Sequence, residues 1–403
     1  MSIPRLDLDQ AITLIRDQVN PVEEIETTAT ADAGRRITAE AIAAPMDLPP
    51  FANSAMDGYA FAQPLCDPAQ PLRIVGKSLA GHPFSGTLGA QQCIRITTGA
   101  ALPHGADTVI IQEDTEATAT HITMLESADL GANVRSAGHD VCQGDLLFAA
   151  GERLNPFKVS WLAANGLAQV AVRRKPRVAV VSTGDELIAP GTALGPGQIY
   201  DSNRLLIIEL LRSLPVAIID GGCIADDPVR IRSALHALTD ADLIITSGGV
   251  SVGDADYLTD IVSAAGELDF WRLNLKPGKP LALGSFEGTR YLGLPGNPVS
   301  SAVTFLLIAR PLILALAGAR PEANHTSTAF LTETIRHRPG REEFQRGHQY
   351  LENGQCLVTP TGDQSSNRLS SFRKANCLIR LEKDWGDRTE GQSVETLTFD
   401  SFI

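Results

Sequence analysis

A chain of 403 residues exceeds a typical domain of ~100–150 residues, so two to four packed domains are expected, each with its own core. With 43% hydrophobic and 20% charged residues, the composition is globular and excludes a disordered chain. The formal charge of −13 repels phosphate backbones and no segregated basic patch offsets it, so no nucleic-acid partner is expected.

The opening residues, MSIPRLDLDQ, carry no apolar stretch behind a basic start. No secretory signal is therefore expected, and the cytoplasm is the expected compartment. The longest apolar run, 302–317, is interrupted by Arg310 and Pro311 and reads as a buried helix, with no role in a membrane. Cys66, Cys93, Cys142, Cys223, Cys356 and Cys377 are scattered without a CxxC pair, which points to reduced thiols. The histidines lack HxH and HxxxH spacing, so a histidine-based zinc site has no support.

In chain order, Leu8, Ile12, Ile15 and Val19 recur on one face of a 3.6-residue repeat, and Asp7 with Gln10 forms a capping-box pattern. A second short helix is expected over 34–43, ended by Pro45. From 46 to 144 the pattern becomes short apolar runs, such as 93–97 and 108–111, between turn residues, which predicts a β-rich insert. Helical periodicity returns over 156–164, with Pro156 in the first turn and Gly166 past the end. Residues 1–45 and 145–176 thus read as one helical region interrupted by the insert.

Residues 177–320 alternate continuous apolar strands with helices. Strands are expected at 178–182, 216–219 and 242–246, and helices at 201–214, from Asp227-Pro228 to about Leu238, and at 254–265. That order predicts an α/β domain with a doubly wound parallel sheet covered on both faces. Residues 321–403 carry five short strand patterns, near 329–335, 344–351, 355–359, 377–381 and 394–399, which predict a small β-barrel.

The chemistry gathers at loops following the strands of the α/β domain, where open parallel sheets bind ligands. Thr183-Gly184 lead to Glu186 in the first loop, and Asp226 follows the second strand. The third loop runs Ser247-Gly248-Gly249-Val250-Ser251-Val252-Gly253 and ends on Asp256. Glycine-rich turns expose backbone N–H groups to phosphate. Glu186, Asp226 and Asp256 suit Mg²⁺, which takes one or two carboxylates beside substrate oxygens. Lys276-Pro277-Gly278-Lys279-Pro280 stiffens two ammonium groups for an anion. Leu294-Pro295-Gly296-Asn297-Pro298 is a rigid loop that either starts a helix or lines a substrate.

Taken with Asn53-Ser-Ala-Met-Asp-Gly-Tyr-Ala60 in the insert, these motifs resemble, in order and over essentially the whole chain, the molybdopterin molybdenumtransferase family. That family includes bacterial MoeA and the catalytic C-terminal domain of gephyrin. The resemblance implies a molybdopterin-binding α/β domain and an elongated homodimer joined through the interrupted helical region, a linker and dimerisation domain. It implies a Mg²⁺-dependent transferase that inserts molybdate into adenylyl-molybdopterin and releases AMP, completing the molybdenum cofactor. By motif position, Glu186, Asp226 and Asp256 correspond to metal and phosphate residues, Lys276 and Lys279 to anion contacts, and Pro295 and Pro298 to active-site prolines. Asp57, Thr98, Arg135 and Asp140 correspond to functional positions on the insert, which in the family approaches the other subunit. Thr361-Gly-Asp-Gln-Ser-Ser366 departs from the family form by lacking a glycine after the glutamine. Partner proteins implied are the molybdopterin adenylyltransferase and apo-molybdoenzymes. Two rival readings share features with the chain: a MgATP-dependent molybdopterin adenylyltransferase, which is a small single-domain protein, and a gephyrin-like scaffold without catalysis.

Overall fold

The computed structural model describes residues 5–248, 257–278, 281–322 and 324–402. At its centre lies a seven-stranded sheet in the order Arg5–Leu6, Leu268–Leu273, Leu281–Phe286, Thr289–Leu294, Leu243–Ser247, Arg177–Thr183 and Ala217–Ile224. The last four run parallel. Val178, Ala179, Val180 and Val181 are all fully buried, as a strand covered on both faces requires.

The sheet is nevertheless mixed rather than wholly parallel. Strand Leu281–Phe286 runs antiparallel to both neighbours. The reason is local: Glu287 (φ 47°) and Gly288 (φ 86°) both adopt left-handed backbone. A two-residue connection of that kind joins only antiparallel strands, since a parallel partner needs a long crossover.

The predicted helix at 228 forms as Pro228–His236, with Asp227 accepting from the Arg230 N–H at 2.8 Å. Helix Pro156–Ala164 is capped by Asn155, which accepts from the Lys158 N–H at 2.9 Å. The first helix is Leu8–Gln18, where the Gln10 side chain accepts from the Asp7 N–H at 3.0 Å. The helix expected over 34–43 does not form. That stretch is extended, with Ile37 bridged to Arg153, Thr38 to Val172, and strand Ile42–Ala43 paired with Leu146–Phe148. Pairing with distant chain overrides the helical propensity of its alanines.

The insert forms a six-stranded sheet ordered Thr108–Ile111, Gly58–Phe61, Gln92–Ile96, Leu72–Ser78, His121–Met124 and Thr115–Ala117. In the C-terminal part, strands Glu342–Glu352, Gln355–Pro360, Ser327–Leu331, Ser393–Thr398 and Cys377–Leu381 pair in turn. The last returns to the first and closes a five-stranded barrel. Strand Leu275–Lys276 pairs with the barrel strand Glu342–Glu352 and so laces the α/β body to the barrel.

One helix joins these parts. Pro298–Leu316 is long and apolar enough to cross a membrane, but 83% of its most apolar window is buried inside the protein. Its residues Val299, Val303, Leu307 and Ile313 share a core with Leu8 and Ile15 of the first helix, Val178 and Leu292 of the sheet, and Phe344 and Leu378 of the barrel. Over Phe305–Ala309 the helix widens into π turns. Pro311 follows, lacking an N–H and clashing with the carbonyl four residues back, and the wider turn relieves both defects.

This packing sets a stability prediction. Ile313→Ala, at a fully buried position, should cost about 2–5 kcal/mol in urea denaturation. Leu205→Ala, at a position 42% exposed, should cost less than about 1.5 kcal/mol. Equal effects would remove the long helix from its place as the shared core.

Candidate functional site

The loops beyond the parallel strands are tied to one another by backbone. After strand Arg177–Thr183 the chain turns at Gly184 (φ 149°), whose N–H donates to the Ile224 carbonyl at 3.1 Å. A Cβ on Gly184 would lie 2.5 Å from a Glu186 carboxylate oxygen, so glycine lets that carboxylate fold back over the turn. The Asp226 N–H donates to Asp185 Oδ1 at 3.0 Å. The sequence-predicted carboxylates Glu186 and Asp226 therefore stand on adjoining loops, both exposed.

A buried network beneath these loops has no counterpart in the sequence reading. Ser182 Oγ donates to Asp201 at 2.5 Å, and Arg204 Nε donates to the same carboxylate at 2.9 Å. Arg204 also reaches Asp220 at 2.5 Å. Asp201 is 1% exposed, so its charge needs this guanidinium. The signal was the polar run Asp201-Ser202-Asn203-Arg204 at a helix start.

The Ser247-Gly248 loop and the Leu294–Pro298 loop also meet. Gly248 (φ 92°) donates its N–H to the Leu294 carbonyl at 3.1 Å. Asn203 Nδ2 bridges Ser247 Oγ at 3.0 Å and the Gly296 carbonyl at 2.7 Å. Gly249, Ser251, Gly253, Asp256 and Lys279 lie outside the described residues. Among the described residues, no group of three His, Cys, Asp or Glu side chains gathers as a metal site.

Where the α/β body meets the barrel there is a cavity of about 480 Å³. It is lined by Lys276, Asn297, Ser300, Arg341, Ser365 and Ser366 with their neighbours. Pro277 follows a cis bond from Lys276, Pro295 is buried, and Pro298 opens the long helix. The Val299 N–H donates to the Ser366 carbonyl at 3.1 Å, which holds the barrel loop against the helix start. Lys276 is not a free cation: its Nζ donates to Glu343 Oε1 at 2.8 Å. Arg341 escaped the sequence reading, although Arg338-Pro-Gly-Arg341 repeats the stiff basic turn of Lys276-Pro-Gly-Lys279.

The insert gathers a second set of residues. Asp57 Oδ1 accepts from both the backbone N–H of Thr98, at 2.7 Å, and its hydroxyl, at 2.8 Å. These two hydrogen bonds hold the Asp57 carboxyl below its ordinary range. Arg135 pairs with Asn53 across a short antiparallel ladder, and Ser54 exchanges backbone bonds with Gly99 and Ala100. Asp140 stands apart from that cluster, its N–H donating to the Leu48 carbonyl at 2.9 Å. Among the described residues, insert hydrogen bonds close within the insert or onto its stem.

Three family profiles cover the chain in order. The MoeA N-terminal region (domain I and II) matches residues 6–166, the probable molybdopterin binding domain 179–315, and the MoeA C-terminal region (domain IV) 328–399. The molybdopterin molybdenumtransferase of Haemophilus influenzae is 40% identical over 99% of this chain and 100% of its own. That of Nostoc sp. is 35% identical over 87% of this chain and 83% of its own. A crystal structure of the molybdopterin biosynthesis MoeA protein from Pyrococcus horikosii, 31% identical, superposes with a TM-score of 0.79 over 98% of this chain and 99% of that one. With tethered carboxylate loops, a cavity shared by the α/β body and the barrel, and full-length relatives in agreement, the chain belongs to the molybdopterin molybdenumtransferase family.

Proposed function

We propose that this enzyme inserts molybdate into adenylyl-molybdopterin with release of AMP, and that the cavity beside Lys276 seats the oxyanion. The cavity carries the reading: it gathers Lys276 and Arg341 with Ser300 and Ser366 around one space, which Asp363 also lines, its carboxylate accepting from the Ser365 hydroxyl at 2.5 Å. Cationic and hydroxyl donors converging from two domains suit a tetrahedral dianion, whose oxygens accept charge-assisted hydrogen bonds. At about 480 Å³, the space exceeds what one oxyanion needs and admits the reacting end of a larger substrate.

The pterin's phosphates suit the loops at Thr183-Gly184 and Ser247-Gly248, where left-handed glycines turn backbone toward the sheet edge. Glu186 and Asp226 fit Mg²⁺ as exposed carboxylates on tethered loops, with the Asp256 motif as the third member. When bound there, Mg²⁺ would neutralise phosphate charge. No side-chain nucleophile is required, because neutralising two anions and positioning AMP as leaving group are the main demands of such a transfer. A small adenylyltransferase lacks the insert and barrel that this chain carries, and the barrel supplies half of the cavity wall. A scaffold without catalysis has no use for that wall.

The reading also makes the enzyme a homodimer with shared sites. The Asp57–Thr98 pair sits on an insert whose hydrogen bonds, among the described residues, stay apart from the α/β body, so a second subunit is the natural partner for it.

Two outcomes are expected. Purified protein given adenylyl-molybdopterin, molybdate and Mg²⁺ should release AMP. Arg341→Ala should slow this by roughly ten- to a hundredfold, the loss of one charge-assisted hydrogen bond. Absence of AMP release from the wild type would sink the transferase reading, and ATP-dependent adenylylation of free molybdopterin would put the adenylyltransferase in its place. In the second test, Asp57→Ala and Glu186→Ala chains, each inactive, should regain part of the activity when mixed. No recovery in verified heterodimers would mean that each site is built from one chain.

A further inference from the structure

The ammonium of Lys276 faces a difficulty inside its own cavity. It is ion-paired to Glu343, which is 3% exposed, and a paired carboxylate cancels the charge that an oxyanion would need. The second oxygen of Glu343 faces Nδ1 of His337 at 3.0 Å, and Nε2 of that ring faces the Glu382 carbonyl at 3.0 Å. His337 is 4% exposed. A carbonyl only accepts, so Nε2 carries a hydrogen. Two lone pairs cannot face each other at hydrogen-bond distance, so the Nδ1–carboxyl contact holds a second proton. Whether that proton rests on the ring or on the carboxyl, the His337–Glu343 pair is neutral.

Other polar groups surround the pair. Gln345 Nε2 donates to Glu343 Oε1 at 3.1 Å. Arg346, fully buried, lies within electrostatic reach of Glu343 and donates to Ser371 Oγ at 3.0 Å. Asp387 meets His337 only at its backbone N–H, at 2.8 Å. Lys276 and Glu343 stand in direct register where strand Leu275–Lys276 pairs with Glu342–Glu352, so their contact is fixed by main chain.

We infer that Glu343 and His337 are positioning residues for the transfer. Glu343 fixes the Lys276 ammonium at the cavity, and the proton it shares with His337 leaves that ammonium's charge available to the oxyanion. This rests on the cavity being the seat of molybdate.

The experiment is equilibrium dialysis of molybdate alone against the full-length chain and its variants, with thermal melting of each. His337→Gln keeps a hydrogen-bond donor but loses the shared proton, so Glu343 becomes a full anion beside Lys276. Molybdate binding should weaken roughly tenfold, as for one unit charge removed near a protein surface. Adding Glu343→Gln to His337→Gln removes that anion and should restore binding to within about threefold of wild type. Glu343→Gln alone keeps an amide oxygen for the ammonium and should also stay within about threefold. A folded Glu343→Ala, which leaves Lys276 without that anchor, should weaken binding roughly tenfold. Near-wild-type binding there would overturn the inference even if His337→Gln does not fold. Under AMP-release assay, His337→Gln should raise KM for molybdate much more than it lowers kcat. A double variant that melts like wild type yet binds no better than His337→Gln would overturn the inference. Normal binding by a folded His337→Gln, with Lys276→Ala impaired, would overturn it while leaving the cavity reading intact. Wild-type binding in both Lys276→Ala and Arg341→Ala would instead remove the cavity reading itself.

Discussion

The arrangement of this chain depends on burying one helix from every side. Pro298–Leu316 has no polar face to give to water, so each part of the chain that touches it must supply apolar surface. The first helix, the mixed sheet and the barrel all do so, and their cores merge on it. A consequence is positional. The helix starts at Asn297-Pro298, where the rigid Leu294–Pro298 loop, the Lys276 turn and the barrel loop at Ser366 come together. The constraint that welds the domains also fixes where they can form a shared cavity, because the barrel's contact with the helix start is set by packing along its whole length.

Charge is handled differently at the sheet edge and at the cavity. Near the sheet edge, Asp201 is buried with Ser182 and Arg204 so that the loops above it are supported from below, while Glu186 and Asp226 stay in solvent. Those exposed carboxylates keep a low desolvation cost. At the cavity the opposite solution appears, with buried Glu343 and His337 behind a half-exposed Lys276. A buried charge without a partner would cost several kcal/mol. The protein meets that cost with the neutral His337–Glu343 pair.

Much of this was readable from residues. Continuous apolar strands such as Val178–Val181 fixed the parallel part of the sheet, and Asp227-Pro228 marked a helix start that formed as expected. Lys276-Pro-Gly-Lys279 reads as a stiff cationic turn, but Lys276 is paired with Glu343 and Lys279 lies outside the described residues. What could not be read was whatever depends on partners far along the chain. The alanine-rich 34–43 stretch looks helical by local propensity, but Ile37 and Thr38 find Arg153 and Val172 more than a hundred residues away. The Glu287-Gly288 hairpin is a local signal, but the strands on either side of it were not among those expected in 177–320. Glu343 and His337 carry no motif at all; only the register of strand Leu275–Lys276 against the barrel brings them to Lys276.

The insert joins its host through a narrow stem, where Ile42–Ala43 pairs with Leu146–Phe148 and Leu48 bridges Val141. Beyond it, strand Ile25–Ala29 pairs with Gln169–Arg173. Synthesis from the N-terminus therefore delivers Ile25–Ala29 well before its partner exists. Because the insert's two ends meet at the stem, its completion shortens the effective loop between those strands from some 140 residues to a few tens. Chain order thereby makes the insert a folding step for its host: the module forms first, and its closed ends bring the two halves of the surrounding domain into reach.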